Sequence, residues 1–502
     1  MSSTFATWLP LIPMLVVGFG GFALMLVDAF SKDDAQLATL SAVILFAAAA
    51  IASALVIGKG GAPAPVPAAL SNYLHIDSLT QFLNVTVCAG GGLCALLAGG
   101  YLNEHALERG EFYALLVLST FGAQVLAAAC DLLTVFIGLE TMSLGVYCMV
   151  AFRRGSPRAA EGGLKYFLLG SFAAAILLFG SALLYGATGH TDFAGIGESV
   201  RSGTADPRLV ILGMLMLLTG FFFKISAVPF HMWTPDAYEG AVTPATTFMS
   251  VVVKAAAFAS MLRLLLVCFS DSMLGNVHSG WPGILIPLAA VTMVYGNLAA
   301  SQQASVKRML AYSSIAHAGY ILVGVAALFS ADAHVRQQAV SGVLFYLLAY
   351  TVSNVLAFGS LIAIGSHGKE AVSFEDLAGV GRRHPLVALP FVIGVLSLMG
   401  FPPTAGFLGK WYVFSAAVGA GSSLLWLVVL GVLTSVVGAY YYLRVIVYMF
   451  MKAPEPGAPL AVPMRSGYVA LALVLSGYFV LKMGITPERY IELALAAAGK
   501  VG

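Results

Sequence analysis

Charge is what this chain has least of. Only 10% of its 502 residues are Asp, Glu, Lys or Arg, while 60% are hydrophobic; a soluble domain carries about a quarter charged residues. The shortage excludes a water-facing globular surface and makes the chain a polytopic membrane protein, with lipid as its solvent. Cysteine chemistry is missing too. Cys88, Cys94, Cys130, Cys148 and Cys268 lie in apolar stretches without CxxC or metal-ligand spacing, so they read as buried, unpaired thiols. A net charge of +2 and the lack of a basic run give nucleic acid nothing to bind. The opening "MSSTFATWLP" has no basic n-region and no evident cleavage site, so the first hydrophobic segment is expected to be retained. There is no Walker motif, haem or iron–sulfur cysteine set, or catalytic triad. No catalytic redox residue, metal ligand set or cofactor is therefore expected on this chain. "GFGGF" at 18–22 imitates part of a dinucleotide loop but lies inside a span with no strand before it, so helix packing is its role.

What is present is a series of long apolar runs. A spanning helix needs about 20 such residues, and fourteen segments qualify: 8–30, 35–57, 77–100, 112–130, 131–151, 163–187, 208–239, 242–269, 281–300, 306–328, 336–364, 386–418, 422–451 and 462–484. "GAPAPVPAA" at 61–69 is a Pro-rich loop outside the membrane. Two segments are too long for simple spans and carry proline at the centre, Pro229 in one and Pro402 with Pro403 in the other. With the N-terminus outside, the inner loops hold Lys32, Arg109, Arg153, Arg154, Arg158, Lys307, Arg308, Lys369, Arg382, Arg383, Lys452 and Arg465. The outer side holds fewer: Lys59, Arg201, Arg208, Arg336, Lys482, Arg489 and Lys500. Positive-inside bias then places both termini on the periplasmic side of what reads as a bacterial inner membrane.

The chain also repeats itself. "LKYFLLGSFAAAILLFGS" (164–181) resembles "LFYLLAYTVSNVLAFGS" (344–360), Pro229 aligns with Pro402, and Gly145 with Gly319. Helices four to eight recur as helices nine to thirteen. Five is odd, so the second copy must be inverted in the membrane, and inverted repeats with matched broken helices build midplane ion sites. The expected fold is all-α, with about fourteen transmembrane helices and two inverted five-helix repeats, each containing a discontinuous helix. The divisions are 1–110 (helices one to three), 111–270 (first repeat), 281–452 (second repeat) and 453–502 (helix fourteen).

Six basic residues remain within or near spans. Arg263 and Arg444 are near helix ends, where snorkelling suffices, and Lys165 is a turn or less into its span. Lys224 and Lys254 stand near the centres of theirs, where a charge costs about 2.5–3.5 kcal/mol, and Lys410 about two turns from the centre of its own. Glu140 is the one acid near the middle of any span and is the natural counter-ion. Lys224 precedes Pro229, so freed carbonyls and the negative end of the helix dipole favour its charge while desolvation opposes it. A lysine so balanced can carry protons. His317 shares this depth; Tyr346, Tyr350 and Asn354 follow one helical face and can relay protons or bond helices together; His231 can line the break. Aligned on the prolines, Lys224 meets Ser397 while Lys410 lies beyond its own break, so the two lysines are expected to do different jobs.

"FFFKISAVPFHMWTPDAYEGAVTP" followed by Lys254, "SVKRMLAYSSIAHAGY", "LKYFLLGSFAAAILLFGSALLYGATG" and "LMGFPPTAGFLGKWYVF" resemble the antiporter-like subunits of proton-pumping NADH:quinone oxidoreductase, complex I. The resemblance covers helices four to thirteen and leaves the first three without a quotable motif. It implies a translocase subunit in which Glu140 and Lys224 form the functional pair, Lys254 connects and Lys410 terminates the path. NADH, FMN, Fe–S clusters and quinone are then expected on partner subunits, with neighbouring antiporter-like and small membrane subunits alongside and the quinone pool reached through the complex. Lys410 in place of a glutamate, "LAGVGRRHP" at 377–385 and an end soon after helix fourteen point to the member next to the small subunits. Multisubunit cation/proton antiporters, membrane-bound hydrogenases and photosynthetic relatives share the same core, so a cation/proton antiporter is the competing reading.

Overall fold

The computed structural model describes residues 7–30, 35–59, 66–270, 274–277, 280–365, 370–454 and 462–499. Lys32, Lys369, Lys500 and residues 61–65 of the Pro-rich loop lie outside them. The spans are α1 Leu9–Phe30, α2 Ala35–Lys59, α3 Ser78–Glu104, α4 Gly110–Ala128, α5 Leu132–Val150, α6 Pro157–Thr188, α7a Pro207–Ile225 with α7b Thr234–Gly240, and α8 Thr243–Val267. They continue as α9 Trp281–Ser301, α10 Val306–Ala326, α11 Ala333–Ile364, α12a Pro385–Met399 with α12b Ala405–Gly419, α13 Leu425–Phe450 and α14 Gly467–Ile485. Thirteen described helices are long and apolar enough to cross a membrane. The fourteenth expected span is split into pieces of 15 residues each, α12a and α12b.

Local chemistry sets the helix starts. Asp77, Asp131, Ser156, Asp206, Ser305 and Asp332 each accept a backbone N–H of the first turn beyond them. At Ser156 and Asp206 a proline follows at the first helical position, where its missing N–H is harmless. In "GFGGF" the glycines let α1 close on its neighbours: a Cβ on Gly20 would meet Ile44 Cγ2 at 2.6 Å, and one on Gly21 would meet Leu118 Cδ2 at 2.7 Å.

A shift of 174 residues carries the Asp131 cap onto Ser305, and Ser226, the left-handed residue ending α7a, onto Gly400, which ends α12a. α6 and α11 are both 32 residues long. Each break holds a cis bond, Val228–Pro229 and Pro402–Pro403. These helix ends set Lys224 against Leu398, one residue away from the Ser397 reached by aligning Pro229 with Pro402.

Four helices form the centre. α3, α8 and α10 are 89% buried over their most apolar windows and α11 is 94% buried, while α1, α2, α6, α13 and α14 face outwards over more than half of theirs. α3 packs against α2, α4, α8, α11 and α14, so the N-terminal helices contribute a core element as well as a rim. Three further α-helices among the described residues lie outside the spans, Phe193–Arg201, Val380–Arg383 and Glu488–Ala498.

Candidate functional site

Lys224 is 1% exposed. Its Nζ donates to Ser143 Oγ (2.7 Å) and Tyr147 OH (3.1 Å) on α5, beside the rings of Tyr147, Tyr166 and Phe223 at 5.1–5.8 Å. The carbonyls freed at the break are not its partners. Phe222 O accepts from Ala227 N, and Phe223 O from Ser226 N and the Trp233 indole. Glu140 is within electrostatic reach of Lys224 but forms none of the ion pairs among the described residues; the acid is half-buried, and its Oε1 is buried without a partner. It shares α5 with exposed Ile137, Leu144 and Cys148, one helical turn to either side and two turns on. Ser143 and Tyr147 follow Glu140 at i+3 and i+7, a spacing by which sequence reading could have found them.

Lys254 follows a π-helical turn, Met249–Val253, a distortion that often marks functional positions. Its Nζ donates to the Ser314 carbonyl and hydroxyl, both at 2.6 Å, and the same hydroxyl accepts from Tyr350 OH at 2.8 Å. One turn further along α10, His317 holds Tyr346 OH at Nδ1 (2.8 Å) and Tyr442 OH at Nε2 (3.1 Å), and Tyr442 reaches Ser313. His317 feels the charges of both Lys254 and Lys410. Lys410, 8% exposed, donates to the carbonyl of Met399 (3.0 Å) and to Ser435 Oγ (3.3 Å) over the Tyr320 ring at 4.6 Å. Although it follows the break in sequence, it folds back onto it.

Lys254, His317, Tyr346 and Tyr350 thus form one buried cluster, with Lys410 next to it. Lys224 stands apart behind Tyr166 and Trp233, stacked with centroids 4.1 Å apart. Asn354 donates to the Tyr350 backbone carbonyl at 3.0 Å and also interacts with the Tyr350 side chain. His231 is half-exposed beside Tyr295, with centroids 4.6 Å apart and away from the lysines. Lys165 is a partly exposed ion-pair residue, 2.5 Å from Glu161 and 2.8 Å from Asp236. Arg308 continues that row to Asp236 (2.8 Å) and Glu239 (2.9 Å).

Two basic residues differ from their sequence reading. Arg263 does not snorkel: its side chain is 7% exposed and grips Asp77 with two bonds, 2.9 and 3.1 Å, and Thr80 with a third, 2.8 Å. Burial pushes Asp77 up, but the Arg263 charge and hydrogen bonds bring it down to about 2. Lys307, counted with the inner loops, is buried. It lies in the first turn of α10, 0% exposed, and donates to Ala241 O at 2.6 Å with Glu370 at 3.5 Å.

Residues 129–438 match the family described as NADH:quinone oxidoreductase/Mrp antiporter, TM. The chain is 54% identical to NADH-quinone oxidoreductase subunit N 1 of Sorangium cellulosum, covering 97% of each. Among solved structures it superposes on a chain of respiratory complex I from Thermus thermophilus with bound aureothin (TM-score 0.77, 33% identity, 96% of this chain and 99% of that one). A chain of the Mrp complex from Dietzia sp. shares the fold at 22% identity (TM-score 0.85, 100% and 98% covered).

Proposed function

The chain belongs to the NADH:quinone oxidoreductase/Mrp antiporter membrane family, and we propose that its buried lysines carry protons across the bilayer as subunit N of the membrane arm of complex I. It is a multi-pass membrane protein and part of a multisubunit translocase. Quinone reduction and its redox groups belong in this reading to partner subunits. The observation that carries the role of the lysines is that Lys224, Lys254 and Lys410 end on hydroxyls and carbonyls, with no carboxylate within ion-pair distance among the described residues. A fixed buried charge needs a partner to offset its desolvation; a lysine that gains and loses a proton needs only polar groups that accept it in either state.

The cycle starts with Lys224 charged in the field of Glu140. A signal from the redox arm draws that field away, and Lys224 gives up its proton towards Lys254 and His317, which hand it on to Lys410. Uptake is from the inner side and release towards the outer, with both termini outer by the loop-charge bias and the bacterial inner membrane as the setting. Residues 111–270 and 281–452 act as two units of opposite orientation, a reading supported by the matched caps and breaks. In the assembled complex, Lys224→Ala and Glu140→Ala are expected to lower proton pumping and coupled quinone reduction about tenfold, equivalent to about 1.4 kcal/mol of barrier. Wild-type turnover in both, with normal assembly, would sink the scheme. If the charges merely joined helices, assembly would be lost instead.

A further inference from the structure

We propose that Lys307 and Glu370 form a proton-uptake site that feeds Lys254, using a chain segment outside the lysine row. The proposal rests on the proton-carrying role given to Lys254 above. Four elements converge here. Glu370, in the segment after α11, accepts from Tyr101 OH at the end of α3 and from Thr243 Oγ1 (2.7 Å) at the start of α8. Lys307, in the first turn of α10, lies 3.5 Å from its other oxygen. The two partners differ in access: Glu370 is 19% exposed and Lys307 0%. One meets solvent and the other is sealed beneath it.

Between them is a cavity of about 10 Å³, lined among others by His105, Thr243, Lys307 and Glu370, which is about the space one water occupies. His105 stacks on Tyr101 and bonds the Tyr101 carbonyl through Nδ1 (2.9 Å), while its Nε2 is buried with no hydrogen-bond partner among the described residues. A water there has a carboxylate, an ammonium and an imidazole within the same small space. Burial pushes the Glu370 carboxyl up, but the Lys307 charge and the Tyr101 and Thr243 hydroxyls hold it below the usual range, so Glu370 rests as a carboxylate. Arg153 and Glu239 also act on Lys307 through space.

Inward from this pair the polar groups continue. Thr243, Thr247 and Ser250 mark successive turns of α8 up to Lys254, roughly 16 Å along the helix. On α10, Ser314 follows Lys307 by two turns and holds the Lys254 ammonium. The handover balances. A proton from solution adds to Glu370, Lys307 releases its own towards Ser314 and Lys254, and Glu370 then returns its proton to the Lys307 amine. One proton enters, one moves on, and the ion pair is restored.

The test uses the assembled complex in proteoliposomes with the inner-face pH varied. Glu370→Gln should lower pumping and coupled quinone reduction roughly tenfold, with the deficit growing as that pH rises and protons become scarce, and Glu370→Asp should recover part of it. Wild-type pumping by Glu370→Gln at every inner-face pH would overturn the proposal. Should Glu370→Gln fail to assemble, Tyr101→Phe keeps the ring on His105 and removes one hydrogen bond to Glu370; a pH-dependent deficit supports the site, and a wild-type pH profile rejects it. Lys254→Ala is measured alongside. Impaired Lys254→Ala with normal Glu370→Gln rejects the uptake site alone, whereas normal Lys254→Ala rejects the role it depends on.

Discussion

The two broken helices share a backbone device and use it in opposite ways. In the first, Lys224 precedes the break, the freed carbonyls of Phe222 and Phe223 are taken by backbone N–H groups and the Trp233 indole, and the ammonium turns sideways to hydroxyls of α5. In the second, Lys410 follows the break and its ammonium returns to the Met399 carbonyl at the end of α12a. The left-handed residue differs too. Ser226 (φ 64°) is a non-glycine whose hydroxyl accepts from Thr234 at 2.7 Å, whereas Gly400 (φ 87°) leaves room for the Lys410 stem. At one break the gap makes space for a lysine held by a neighbouring helix. At the other the gap is itself the ligand. Only the first lysine is held by the helix that also carries an acid, so Lys224 can answer to a change at Glu140 while Lys410 answers to backbone geometry.

That contrast can be broken most forcefully at the hydroxyls. Ser143→Ala removes the 2.7 Å partner of Lys224; a hydrogen bond to a charged group contributes about 1.5–3 kcal/mol, so coupled turnover should fall tenfold or more. Ser435→Ala removes a 3.3 Å contact and leaves the Met399 carbonyl in place, so its loss should be severalfold smaller. Equal losses in steady-state turnover would erase the distinction between a side-chain cradle and a backbone one.

A cation that does have a carboxylate sharpens it from outside. Arg263 and Asp77 form a permanent pair, and the displacement of the Asp77 carboxyl from 3.8 to about 2 corresponds to about 2 kcal/mol of stability. Because the folded value lies below the ordinary one, that contribution is complete above pH 3.8 and fades as pH falls towards about 2. Asp77→Asn should therefore lower the thermal unfolding temperature of the detergent-solubilised complex near neutral pH, with the difference from wild type shrinking at acid pH. A constant difference across that range would show that the pair does not titrate as one.

The smallest effect compares the two left-handed residues. Gly400→Ala forces a Cβ into a positive-φ position 3.2 Å from Lys410 Cδ, at about 1–2 kcal/mol. Ser226→Ala already tolerates that backbone and gives up only the Thr234 bond, about 1 kcal/mol. Melting curves should rank Gly400→Ala as the less stable variant, and it alone should also slow pumping through Lys410.

The features legible in the sequence were those written in runs: fourteen apolar segments, prolines at two segment centres, and lysines where lipid forbids an unexplained charge. Directions of side chains were not. Nothing in the string around Lys410 says that its stem turns back to Met399, because that depends on Gly400 and on a break whose geometry is tertiary. Lys307 was misplaced for a related reason. Hydropathy starts the span at 306 but does not show that this first turn, capped by Ser305, is covered, with Lys307 0% exposed beside Glu370. α6 was expected to begin at 163, and it begins at Pro157 because Ser156 caps it and its first polar residues extend beyond the apolar run. Capping chemistry was readable there, and hydropathy outweighed it.

The row Glu161–Lys165–Asp236–Arg308–Glu239 has one more consequence. α7b is seven residues long, well short of the dozen or so a helix needs to persist without help. Its two acids are gripped from α6 on one side and α10 on the other, helices drawn from different halves of the bundle. Such partly exposed pairs are weakened by dissolved ions, whose screening distance shrinks from about 30 Å at 0.01 M to about 3 Å at 1 M. The second half of the first broken helix is therefore held, besides its buried side chains, by a fastening that the surrounding electrolyte can tighten or slacken.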